Sequence, residues 1–182
     1  MPAAAILSNP LARFFAILVG VYTLWFAAYD LWLLPDGRLD EWLSLHVVTM
    51  TTGLMNTVGL ETFAEGRHVW MPGTLGVLIE DDCNGIGSLG LFVAFVLAYP
   101  GSWRQRAWFL PMGLAVVYGV NVLRIAALIM IQAQVPALFD IAHELGTTLI
   151  FYAAIFGLWM VWARLGDGSR LRQRGHLTLA AA

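Results

Sequence analysis

Three side chains in this sequence carry reactivity that packing alone does not ask for: the thiol of Cys83, the guanidinium of Arg124 and the imidazole of His143. Cys83 is the only cysteine, so it forms no internal disulfide. It stands in Ile79-Glu80-Asp81-Asp82-Cys83-Asn84-Gly85-Ile86-Gly87, where an acidic stretch turns abruptly into a long apolar run. A thiol is soft and nucleophilic, and it works as a nucleophile when basic or cationic groups converge on it. Taken alone, a cysteine beside an apolar segment reads first as an inert small apolar residue. The other two groups shift that reading.

Arg124 sits in the otherwise apolar run Gly119-Val120-Asn121-Val122-Leu123-Arg124-Ile125-Ala126-Ala127. An arginine in mid-span costs about 2.5–3.5 kcal/mol on translocon scales, so it needs a reason to be there. Asn121 is three residues back and shares its helix face. Together they give a planar, permanently charged fork and an amide pointing into a bundle. His143 lies five residues after the next apolar segment begins, with Asp140 at i−3 and Thr147 at i+4 on its face to orient the ring. At the helical rise, Arg124 falls about 12 Å and His143 about 8 Å below the same surface. Thiolate attack on a peptide carbonyl makes an oxyanion that a guanidinium and an amide stabilise, and the leaving amine takes its proton from an imidazole. The three groups thus match the needs of acyl transfer.

The elements that must hold them follow from composition. Of the 182 residues, 59% are hydrophobic and 12% charged, and the mean hydropathy is +0.73. That is too much apolar side chain for a soluble domain of this size, and the chain reads as an integral membrane protein. All ten basic residues are arginine and the formal net charge is −2, which leaves no basic patch for nucleic acid. One cysteine, and no paired histidines at ligand spacing, give no metal site, and no cofactor is expected. The first ten residues lack a basic region followed by a small-residue cleavage site, so the first apolar segment is expected to be retained.

The expected fold is all-α: a single domain over residues 1–182, built as a polytopic transmembrane bundle of four to five hydrophobic helices with one extracytoplasmic loop. Spans are expected at about 11–34, 84–99, 107–132 and 138–163, each judged against a hydrocarbon layer of about 30 Å. Residues 42–60 contain His46, four threonines, Asn56 and two glycines, and either span or lie along the surface. Pro35-Asp36-Gly37, Pro100-Gly101 and Pro136 break the helices. Residues 61–83 carry six charged side chains besides Trp70, Pro72, Gly73 and Gly76, which suggests an extended or hairpin-like loop outside the membrane. Arg104, Arg106 and the arginines of the 164–182 tail place those segments in the cytoplasm and Cys83 at the outer face of the cell membrane.

With Asp82-Cys83-Asn84-Gly85-Ile86, Asn121-x-x-Arg124-Ile125 and His143 on consecutive hydrophobic segments, the sequence resembles the exosortase/archaeosortase family of membrane-embedded, transpeptidase-like cysteine enzymes. The likeness runs from about Val69 to Tyr152, and it rests on the order and spacing of motifs that are individually weak. It implies Cys83, Arg124 and His143 as catalytic residues, with Asn84, Gly85, Asn121, Asp140 and Thr147 in support. It also implies substrates that are secreted proteins bearing a C-terminal sorting signal, made of a short motif, a transmembrane helix and a basic tail. Cleavage would pass the product to water, or to a lipid or amine acceptor. Two features depart from the family pattern. The family's cysteine commonly follows a small residue and precedes Ser-Gly, whereas here it stands between Asp82 and Asn84; and members with eight spans are longer.

Two other readings fit the residues alone. In one the chain is a membrane scaffold or assembly factor, with Arg124 held by Asp140 or Glu144 in a buried ion-pair network. In the other it is a small transporter using Arg124 and His143 as a charge relay, although no inverted repeat is visible. Topology has a direct test. A membrane-impermeant thiol reagent is expected to label Cys83 in intact cells, and labelling only after lysis would reverse the orientation.

Overall fold

The computed structural model describes residues 9–180, with side chains given for all but residue 82, residues 146 and 147, and those beyond 166. Residues 1–8, and the side chains of the tail arginines Arg170, Arg172 and Arg174, lie outside that description. Helix α1, Pro10–Ala28, begins with Asn9 accepting from the Leu11 amide at 2.9 Å and with proline in its first turn. It runs on through a widened π turn, Tyr29–Leu33, and a last turn, Leu34–Asp36, that Gly37 ends. Helix α2 is Arg38–Thr57, α3 is Ile86–Ala98, α4 is Trp103–Gln134 and α5 is Thr147–Ala180. A reciprocal cap starts α4, in which Ser102 and Gln105 each accept the other's backbone amide at 3.2 Å.

The bundle is all-α apart from one small sheet. Strands β1 (Phe63–Glu65), β2 (His68–Trp70) and β3 (Val77–Leu78) pair antiparallel in that order, with Ala64 opposite Val69 and Val69 opposite Val77. Gly76 is where the chain passes closest to this sheet: its φ is +78°, and a Cβ there would fall 2.6 Å from both the His68 ring and the Val69 carbonyl.

Helix α4 is the spine. One end packs with α3 and α5 around Phe92, Val96, Phe109, Val117, Phe151, Ile155 and Trp162. The other end meets α2 and the sheet around Val47, Val48, Met55, Val69, Val77, Ile79, Ile125, Leu128 and Ile129. Small residues let the helices close up. A Cβ on Gly90 of α3 would sit 2.3 Å from Trp25 of α1, and one on Gly113 of α4 would sit 2.1 Å from Phe92.

Outward, the bundle is apolar. Leu11, Val19 and Leu24 on α1 and Leu149 and Ile150 on α5 are each more than 60% exposed, apolar surface that belongs in lipid. This is a membrane protein. Among the described residues, three helical stretches are long and apolar enough to cross a bilayer: Pro10–Asp36, Trp103–Gln134 and Pro136–Gly166. The remaining two segments of the sequence-based count differ from those. Helix α3 has 13 residues, so it reaches about 20 Å against a layer of about 30 Å. Helix α2 is amphipathic rather than uniformly apolar. Its inward stripe is Asp40, Leu43, Ser44, Val47, Val48, Thr51 and Met55, whose spacing of three and four residues marks one helix face.

Gly113 and Gly119 lie on the same helix in opposite surroundings, since nothing stands within 4 Å of a Cβ built on Gly119. Gly113→Ala is expected to lower thermal stability in detergent by about 1–3 kcal/mol through overpacking against Phe92. Gly119→Ala is expected to be neutral or to stabilise by up to about 1 kcal/mol through helix propensity. Equal melting temperatures for the two variants would contradict this packing.

Candidate active site

Cys83 closes a short 3-10 turn, Asp81–Cys83, in which its amide donates to the Glu80 carbonyl at 2.9 Å. The turn is tied to the sheet by Arg67, whose guanidinium forms an ion pair with Asp81 and donates to the Ser44 hydroxyl of α2 at 2.7 Å. Asp81 therefore has a cation of its own beside the thiol-bearing turn. The Arg67 carbonyl also accepts the Ile79 amide at 2.9 Å, fixing the strand that leads into the turn.

Beyond Cys83 the chain is gripped from two sides. Asn84 is buried; its amide nitrogen donates to Asp40 Oδ1 at 2.7 Å, and its Oδ1 accepts the Ile86 amide, the first of α3, at 2.9 Å. Asp40, wholly buried, takes a second bond on the same Oδ1 from the Tyr29 hydroxyl at 2.7 Å. From α4, the buried Asn121 donates to the Cys83 carbonyl at 3.0 Å. Gly85 turns the chain at φ +87° with its Cα face against Asn121, where a Cβ would meet the amide carbon at 3.4 Å. A side chain there would be strained by the backbone conformation.

His143 arrives from the irregular start of the last helix. The chain passes through a 3-10 turn (Pro136–Leu138), an α turn (Phe139–Ile141) and a π turn (Ala142–Gly146) before α5. The imidazole is half-buried, with Nε2 3.9 Å from Cys83 Sγ. Phe139 lies parallel to the ring, at 3° and 5.9 Å between centroids. Arg124 is half-buried on α4, three residues beyond Asn121, and the two are neighbours along that helix.

Asp140 and Thr147 are the expected orienters of His143. Asp140 is exposed, and the Thr147 side chain lies outside the described residues. In the π turn that carries His143, the residue stacked below it is five positions on. Thr148 fills that place, donating its hydroxyl to the His143 carbonyl at 3.3 Å. Glu144 is exposed as well, so the carboxylates needed for a buried network with Arg124 are at the surface.

Tyr29, Asp40, Arg67 and Phe139 were not anticipated from the sequence as part of this site. For Asp40 a signal existed: Asp40, Ser44 and Thr51 fall on the same helical stripe as Leu43, Val47, Val48 and Met55. Polar residues on a helix's buried face are there to bond something. Among the described residues no group of three or more histidine, cysteine or acidic side chains is arranged to hold a metal ion.

The family model for transmembrane exosortase (Exosortase_EpsH) matches residues 3–160 of this chain. Neither the curated proteins nor the solved structures searched contain a match.

Proposed function

We propose that this chain, which belongs to the transmembrane exosortase family, is a cysteine peptidase or transpeptidase acting through a thioester on Cys83. The observation that carries the reading is the 3.9 Å approach of sulfur and imidazole from residues 60 positions apart. His143 Nε2 takes the thiol proton as sulfur attacks the carbonyl carbon of the scissile peptide. The resulting oxyanion is stabilised by Arg124, seated one turn from Asn121, which keeps the Cys83 turn in place. The imidazolium then returns its proton to the departing amine, leaving an acyl group on sulfur. Water, or an amine or lipid acceptor, attacks the thioester and frees the thiol.

Family membership suggests the substrate class: secreted proteins whose C-terminal signal joins a short motif, a transmembrane helix and a basic tail. The arginine distribution supports a cytoplasmic-membrane location with the thiol toward the outer face. The segment between α2 and Cys83 is the candidate reader of the motif. It presents Phe63 and His68 stacked on Trp70, with centroids at 6.2 and 5.2 Å.

Cys83→Ser is expected to abolish processing of a co-expressed sorting-signal substrate, read as persistence of the uncleaved precursor, at an unchanged level of the membrane protein. Continued cleavage would remove Cys83 from the mechanism. Arg124→Lys is expected to slow processing by about 100-fold, the range lost with one oxyanion donor, because a point ammonium does not reproduce the planar fork. Wild-type rates in that variant would restrict Arg124 to a structural part.

A further inference from the structure

Asp40 is a wholly buried carboxylate in the first turn of α2, and its described partners are both neutral donors, the Tyr29 hydroxyl and the Asn84 amide. Its other oxygen, Oδ2, is buried with no hydrogen-bond partner among the described residues. Burying a carboxylate on neutral partners is a poor way to gain stability, and an apolar side chain of similar volume would fill the space at less cost. What the arrangement does provide is a fixed point for Asn84, the residue after the thiol.

We propose that Asp40 is a positioning residue for Cys83, holding the thiol against His143 through the side chain of Asn84. Both ends of the Asn84 amide are engaged, one by Asp40 and the other by the first amide of α3. Asn121 pins the Cys83 carbonyl from the opposite side. The Cys83 backbone therefore lies between two anchored groups carried on separate helices, α2 and α4. Release of the Asp40 anchor frees the turn on one side, and the sulfur leaves the imidazole. Tyr29 has the complementary part, steadying the oxygen that Asn84 uses and bringing the end of α1 into the same node.

The importance of this position for turnover rests on the cysteine-peptidase reading above, whereas the position itself is measurable without it. Cys83 is the only thiol, so its alkylation by N-ethylmaleimide in the intact chain reports one site. In the wild-type background, His143→Ala is expected to change the alkylation rate by about fivefold or more, a coupling typical of groups in contact. In Asp40→Leu the same His143→Ala change is expected to make no further difference, because the two groups are already apart. The exchange Asp40→Asn with Asn84→Asp reverses donor and acceptor between positions 40 and 84 and leaves the carboxylate at 84 to accept the Ile86 amide, while the Tyr29 hydroxyl, which shares Asp40 Oδ1, turns from donating to accepting; the exchange is expected to restore the sensitivity to His143→Ala. Processing kinetics should follow the same order, with kcat reduced and KM unchanged in Asp40→Leu.

An Asp40→Leu protein in which alkylation still responds to His143→Ala as in wild type would overturn the proposal. Should Asp40→Leu fail to accumulate, the exchange decides: restored response supports the anchor, and an accumulating protein without it refutes the anchor. If Cys83→Ser leaves processing intact, the catalytic reading falls while the alkylation series still judges Asp40.

Discussion

One amide group ties two helices of the membrane bundle to the residue that follows the thiol. The Asn84 side chain bonds Asp40 of α2 through its nitrogen and the first amide of α3 through its oxygen. It is buried, so water offers neither group a substitute. Every element near Cys83 is referred to this point. Helix α1 reaches it through Tyr29, α2 through Asp40, α3 through the Ile86 amide, and α4 through Asn121 on the neighbouring carbonyl. The order of helices around the site follows from polar groups that have one place each to go.

The small sheet has a matching role on the other side of the turn. Strands of two and three residues are too short to be stable alone, and these lie on the end of the bundle, burying Val69, Val77 and Ile79 against α2 and α4. Arg67 then closes the connection by reaching Ser44 and Asp81 together. The acidic approach to Cys83 is thereby partly neutralised and held rigid. In an environment where hydrophobic burial between helices is weak, such polar ties and the close packing at Gly90 and Gly113 do much of the ordering.

The irregular entry to the last helix is part of the same economy of positions. An unbroken α-helix from Pro136 would set His143 on the face shared by residues 140 and 147. The 3-10 and π turns change that register: Asp140 is exposed, Phe139 lies parallel to the imidazole, and Thr148 donates to the His143 carbonyl. Local widening of a helix at a candidate reactive group is a recurrent way to aim one side chain without moving the whole element.

By itself the sequence determined residence in the membrane, the all-α class, the breaks at Pro35-Asp36-Gly37, Pro100-Gly101 and Pro136, and the presence of a thiol, a guanidinium and an imidazole on separate segments. These are legible because partition into lipid and helix termination depend on residues adjacent in the chain, and a charge in an apolar run is conspicuous wherever it points. Tertiary structure alone decided that α3 is a short packed helix, that α2 turns a mixed stripe inward, and that Asp40 and Tyr29 belong to the node beside Cys83. Those facts rest on pairs such as Asp40 with Asn84 and Cys83 with His143, 44 and 60 positions apart. Composition and period specify how each helix is oiled and where it stops. They do not fix the rotation of one helix against another, which is set when buried donors find the acceptors that other helices bring.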